Sequence, residues 1–169
     1  MGRNDSDDFT LDTGMGRRAR SMTTRCPFCA FDQPEVTVLV DADVQAFISL
    51  SPINRYHVLV VPKVHYEHLT DLPIETLTSV MRMAQRVSGA VNRVARPAAI
   101  SLLSDDDLTG SGFNLVAHWK LHVVPRYRND AVVIDWHREP DPGKEARARY
   151  GRELRQVLDG APMAGKAGV

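Results

Sequence analysis

The residues of this 169-residue chain whose types and spacing could do chemistry are two cysteines, Cys26 and Cys29, and six histidines, His57, His65, His68, His118, His122 and His137. The run Cys26-Pro27-Phe28-Cys29 admits two readings. In a redox motif the first thiol opens a helix, whose dipole lowers the thiol pKa; here a polar tail precedes the pair and Pro34 interrupts any helix behind it. In a zinc site the two thiolates make half of a tetrahedral donor set, and two imidazoles supply the rest. A disulfide across so short a loop stabilises little, and a cytosolic chain keeps it reduced. Further along, His118, Lys120 and His122 alternate with Trp119, Leu121 and Val123. Alternate residues of a strand face opposite sides, so the pattern sends the three polar side chains one way and the three apolar ones into a core.

The elements that must position these residues follow from local pattern. Residues 36–40 and 44–50 are β-rich runs joined at Asp41-Ala42-Asp43, a predicted hairpin. A third run, 57–61, ends at Pro62. Asp71, just before Pro73, signals a helix start, and Leu77, Val80, Met81, Ala84, Val87, Val91 and Val94 recur at helical spacing to about Arg96. Met81 and Met83 on this helix read as packing residues. Residues 100–103 form a short strand, 105–112 an acidic turn-rich loop, and 113–124 a long strand closed by Pro125. Ala146, Tyr150, Leu154 and Val157 suggest a closing helix. Strands separated by one long helix indicate an α+β sheet with helices on one face. The expected organisation is a disordered extension over 1–24, a domain over 25–160 and a flexible tail over 161–169.

Composition narrows the function classes. Lys+Arg and Asp+Glu balance at 21 each, which gives no broad electrostatic footprint for nucleic acid or an anionic membrane. No run approaches the roughly 20 apolar residues needed to cross a bilayer. The first 24 residues are polar, with Arg17, Arg18 and Arg20 and no apolar run behind them, so they do not read as a secretory signal. The expected location is cytoplasmic.

Three segments resemble the histidine triad (HIT) family and its zinc-bearing relatives, the galactose-1-phosphate uridylyltransferases. The Cys26–Cys29 segment followed by Val44-Gln45-Ala46-Phe47 is similar to the family's opening. Ser51-Pro52-Ile53-Asn54-Arg55-Tyr56-His57, continuing through Val61-Pro62-Lys63-Val64-His65, resembles its second block. His118-Trp119-Lys120-Leu121-His122-Val123-Val124-Pro125-Arg126 resembles its signature block. The likeness implies a HIT-like antiparallel sheet with one long helix and a C-terminal helix. In the zinc-bearing relatives the ligands are the two cysteines, the histidine after the Pro-Lys segment and the first signature histidine; on this chain these are Cys26, Cys29, His65 and His118. His68 lies close enough to replace His65. Four protein ligands leave no open position, so the implied zinc is structural. The family also implies a homodimer.

The chain departs from that pattern where the family does its chemistry. The family's central histidine attacks the α-phosphate of a nucleotide and forms a covalent intermediate; Lys120 stands at that position. An ammonium with a reference pKa near 10.4 is not nucleophilic at neutral pH without a large downward shift. Ser49 replaces an acidic ribose contact, Tyr56 replaces the glycine before His57, and Phe113-Asn114 replaces a Gly-Gln pair that holds phosphate. Asp105, Asp106 and Asp107 lie where the family usually has neutral residues; they read first as a solvated loop, and beside a phosphate pocket such carboxylates repel the ligand unless a metal or Lys120 intervenes. The candidate catalytic set is therefore Lys120, His122 and His57, with Ser49, Asn114 and Asp107 as substrate contacts. One reading is a repurposed enzyme for a nucleotide-like or other phosphate or carbonyl substrate. Another is a non-catalytic member that binds a nucleotide or a protein. A third is nucleotide hydrolysis or transfer by a different nucleophile.

Overall fold

The computed structural model describes residues 26–106, 114–132 and 140–160. Asp107, Phe113, His137, the 1–24 extension and the 161–169 tail lie outside them. Five strands form one antiparallel sheet in the order β1-β2-β3-β5-β4, with β1 Thr37–Val40, β2 Val44–Ile48, β3 Val58–Pro62, β4 Ala99–Leu103 and β5 Leu121–Arg126. The β1–β2 turn is built as its sequence demands. The Asp41 carboxylate accepts from the amides of Asp43 and Val44 at 3.1 and 3.0 Å, an Asx turn that reverses the chain.

The long helix α1, Ile74–Ala95, lies across one face of the sheet. Pro73 caps it at ψ 146°, outside helical geometry, so the first helical residue is Ile74, while Asp71 ends a short 3-10 turn, Leu69–Asp71, ahead of it. Arg96 stops it in the left-handed conformation, φ 45°, with its amide on Asn92 O. The buried side chains are Val80, Met83, Ala84, Val87 and Val91. Met81 and Val94 point to solvent, 47% and 68% exposed, so the apolar stripe is narrower than its hydrophobic pattern and turns through Met83.

Sheet alternation sorts the rest. Val44, Ala46, Val58, Val60, Leu121 and Val123 pack with α1 and Trp119 in the main core. Phe47, Leu59 and Val61 face the other way and pack with Phe28 and Phe31. All five residues of β3 are buried because both of its faces are covered. His122, paired with Leu59 across β3 and β5, therefore lies on the face opposite α1.

Two expectations change. The strand expected over 113–124 begins only at Leu121 and ends at Arg126; residues 114–120 are irregular. Their backbone groups are used elsewhere: the Trp119 amide donates to Tyr66 O at 2.6 Å, the His118 amide to Val116 O at 2.7 Å, and the carbonyls of Val116 and His118 accept from the Lys120 side chain. Pro125 is tolerated inside β5. Its carbonyl accepts from Asn54 on the β3 side, where the ladder has already ended at Val58–Val123. The closing helix exists as α2, Gly143–Gly160, yet buries no residue; Leu154, Val157 and Leu158 are each about two thirds exposed.

Candidate metal centre and the buried lysine–histidine cluster

Four side chains from three segments converge on the face opposite α1. Cys26 Sγ lies 3.3 Å from His118 Nδ1, and Cys29 Sγ lies 3.5 Å from His65 Nδ1 and 3.6 Å from His118 Nδ1. All four donor atoms fall within 4.8 Å of one another. A tetrahedral zinc with the usual Zn–S and Zn–N bonds separates sulfur from nitrogen by about 3.5 Å, so the donor set fits that ion. The His118 ring supports the same reading. Its Nε2 meets Pro62 O at 2.9 Å, and a carbonyl only accepts, so Nε2 carries the proton and Nδ1 keeps its lone pair toward the sulfurs. Burial, then the neighbouring charges of His65 and Lys120, lower the His118 pKa to about 4 against the Pro62 bond, leaving a neutral imidazole as metal binding requires. The Glu67 carboxylate lies 3.7 Å from His65 Nε2. His68 turns away, toward Asp106 at 3.7 Å, so His65 completes the set and His68 does not.

Packing delivers the cysteines. Phe31 stacks on Phe47 with centroids 3.9 Å apart, Phe28 tilts on the same ring at 5.6 Å, and Gln45 Nε2 donates to Phe28 O. Cys26 is half-buried, Cys29 exposed, and neither is in a disulfide. Hydrogen-bonded turns follow Cys26, from Ala30 to Cys26 O and Phe31 to Phe28 O, where a redox motif needs a helix.

Next to this centre His57 and His122 form a buried pair, 1% and 6% exposed. The Ile53 amide donates to His57 Nδ1 at 3.0 Å, which makes that nitrogen an acceptor and puts the proton of the neutral ring on Nε2. His57 Nε2–H then donates to His122 Nδ1 at 3.0 Å, so neutral His122 carries its own proton on Nε2. Burial holds the His57 pKa down to about 4. Burial, then the charges of His57 and Lys120, lower that of His122 to about 3.

Lys120 is 3% exposed. Its ammonium donates to Asn114 Oδ1, to Val116 O at 3.0 Å and to His118 O at 3.1 Å, and lies 5.5 Å from the Phe28 ring centroid. Burial pulls its pKa down to about 8, opposed by the negative charges of Asp105 and Cys26, so it remains protonated at pH 7. Of the expected substrate contacts, Ser49 is buried beside His57, its amide donating to His57 O at 3.0 Å. Asn114 is buried too, and its Nδ2 has no hydrogen-bond partner among the described residues. Cavities of about 680 Å³ along α1 and about 510 Å³ beside β1 are lined by other residues.

The device that delivers His57 has only a faint signature in the sequence. Asp130 accepts from Arg126 Nε and Nη2 at 2.9 and 3.0 Å, from the Tyr127 amide at 2.9 Å and from Asn54 Nδ2 at 3.1 Å. This ties the end of β5 to the turn before β3, where Tyr56 sits at φ 63° and the His57 amide donates to Asn54 O. The Arg126–Asp130 spacing of opposite charges was the available signal. Tyr56 occupies the left-handed region that glycine enters without cost.

The HIT domain model matches residues 30–129. An uncharacterised HIT-like protein of Mycobacterium tuberculosis is 31% identical over 141 residues, 80% of this chain and 96% of that one. A zinc-bound histidine triad family protein from Mycobacterium smegmatis superposes with TM-score 0.58 at 30% identity, covering 82% and 98% of the two chains. A HIT family protein from Bacillus subtilis shares the fold, with TM-score 0.69 at 23% identity over 82% of this chain and 98% of that one. The family model spans more than half of the chain and the relative of 31% identity covers most of it, so the chain belongs to the HIT domain family.

Proposed function

We propose that the chain is a HIT protein with a structural zinc that binds a nucleotide-like phosphate ligand and forms no covalent bond to it at position 120. The observation that carries this reading is the placement of the Lys120 ammonium, buried and donating to three oxygens. A nucleophilic amine needs a deprotonated nitrogen with its lone pair aimed at substrate. Three acceptors occupy all three N–H groups and each favours the charged form. Lys120 is then a fixed positive charge beside a neutral His57–His122 pair, and His57, His122, Ser49 and Asn114 border the ligand; Asp107, the remaining expected contact, lies outside the described residues. The ligand class rests on the family and on relatives such as AP-4-A phosphorylase of Mycobacterium tuberculosis, 32% identical over 91 residues, 54% of this chain and 46% of that one.

A second reading keeps an enzyme. The lowered Lys120 pKa favours a charge or Schiff-base role toward a phosphate or carbonyl substrate. The two are separated by incubation with adenosine phosphoramidate, diadenosine polyphosphates and nucleotide sugars, followed by intact-mass analysis and calorimetry. Binding without turnover or adduct, with turnover appearing in Lys120→His, supports the first. A nucleotidyl or borohydride-trapped adduct on Lys120 overturns it. Zinc at about one equivalent, a domain over 25–160, a cytoplasmic location and a homodimer complete the proposal. Metal analysis and sedimentation test the first and last. Among the described residues no helix is long and apolar enough to cross a membrane.

A further inference from the structure

We infer that Lys120 is a positioning residue of the metal centre: its side chain joins the turn that carries His118 to the turn that carries the two cysteines. The first half of the argument is the 114–118 segment. It makes no ladder bonds, yet it must present His118 Nδ1 to two sulfurs while His118 Nε2 holds Pro62 O. What fixes its shape is the ammonium, which gathers Asn114 Oδ1, Val116 O and His118 O around one nitrogen. The Trp119 amide on Tyr66 O anchors the far end, one residue past His65.

The second half is the cysteine turn. Phe28 stands between Cys26 and Cys29; its ring lies 5.5 Å from the Lys120 ammonium and edge-on to the His118 ring at 5.7 Å. A buried cation over an aromatic face is attracted by the ring quadrupole. One side chain therefore touches both halves of a donor set separated by about ninety residues of sequence. Charge permits this closeness: two thiolates cancel the two charges of the zinc, so the filled site is neutral and does not repel an ammonium. An imidazole at position 120 has no tetrahedral ammonium with which to collect three acceptors.

The role is independent of what ligand, if any, the protein binds. Its test is the Zn²⁺ affinity of the full chain, measured by competition with a chromophoric chelator, together with the visible spectrum of the Co²⁺-substituted protein. Residues that orient ligands from outside the donor set change metal affinity by about 10- to 100-fold. Lys120→Met is expected to weaken Zn²⁺ binding within that range and to alter the Co²⁺ bands. Lys120→Arg restores a cation with several donors and should recover part of the loss, while Lys144→Met, on the exposed face of α2, should change nothing. Should Lys120→Met not fold, Asn114→Leu removes one acceptor and carries the same expectation. Zn²⁺ affinity and Co²⁺ spectrum unchanged in a folded Lys120→Met or Asn114→Leu protein, even one with a lower Tm, overturn the inference. A nucleotide adduct on Lys120 would overturn the functional reading and leave this measurement standing.

Discussion

The His57–His122 pair makes stability depend on pH in a definite direction. Both rings are buried and neutral, with folded pKa values lowered to about 4 and about 3. In the unfolded chain each titrates near 6.5. Between these limits the unfolded state binds protons that the folded state refuses, so stability is complete above pH 6.5 and falls as pH drops toward 4. pH 5 lies about 1.5 units below the unfolded pKa and above both folded values, so the loss there is roughly 2 kcal/mol per histidine at about 1.4 kcal/mol per unit. A small domain holds about 5–15 kcal/mol in total, so the loss is large. Urea midpoints at pH 7, 6 and 5 in zinc-containing buffer measure it. Release of the proposed zinc would also weaken the fold at low pH, and comparison with His122→Asn separates the two, since that variant keeps all four candidate donors. His122→Asn should be less stable at pH 7 and should show roughly half the decline attributable to the pair. Parallel pH profiles for the two proteins would refute the neutral-pair argument.

Four further outcomes follow from the same contacts. Cys26→Ser should lose most of its zinc by metal analysis and lower the Tm, with faster amide exchange in residues 26–34 and 114–118, because the metal's binding free energy is coupled to folding. Tyr56→Gly relieves a φ of 63° and should raise stability by up to about 1 kcal/mol in urea titration. Met83→Ala should cost about 2–5 kcal/mol and Met81→Ala less than about 0.5, since one is buried against the sheet and the other is half exposed. The hydrogen bond from Arg126, then that from the Tyr127 amide, hold the Asp130 carboxyl well below the usual carboxylate range. Its contribution is present above pH 4 and lost in stronger acid, so Asp130→Asn should be less stable at pH 7 and flatter below pH 4 in thermal melts.

Much of this arrangement was legible in the sequence because it rests on period and turn chemistry. The hairpin at Asp41 and the helix from Pro73 follow local rules, and the structure keeps them within a few residues. The resemblance named Cys26, Cys29, His65 and His118, with His65 favoured over His68, and these are the four side chains whose donor atoms cluster. The start of β5 was not. Apolar alternation continues upstream of Leu121, but the carbonyls there answer to a side chain instead of a neighbouring strand. The pattern of α2 was correct for a helix and silent on its partner, because periodicity encodes a face and not what covers it. The link from the Arg126–Asp130 pair to Asn54 stayed hidden because Asn54 is 76 residues from Asp130, and only the fold brings them together.

The lysine shows how far strand geometry constrains a substitution. Position 120 immediately precedes β5, on the face opposite α1, and whatever side chain stands there is enclosed by the cysteine turn and the 114–118 turn. An imidazole in that enclosure can remain neutral and offer a ring nitrogen outward. A primary amine cannot remain charged in the same space without oxygens around it, because an unpaired buried cation costs several kcal/mol. The nearest oxygens are the carbonyls of its own approach segment, so the ammonium folds back on the chain that leads to it. On the proposed reading, the absence of a nucleophile at position 120 and the path of residues 114–120 go together, because the same ammonium donates to the carbonyls of Val116 and His118. Lys120→His should therefore change the path of this loop, and amide exchange across residues 114–119 would register that change even if no substrate is ever turned over.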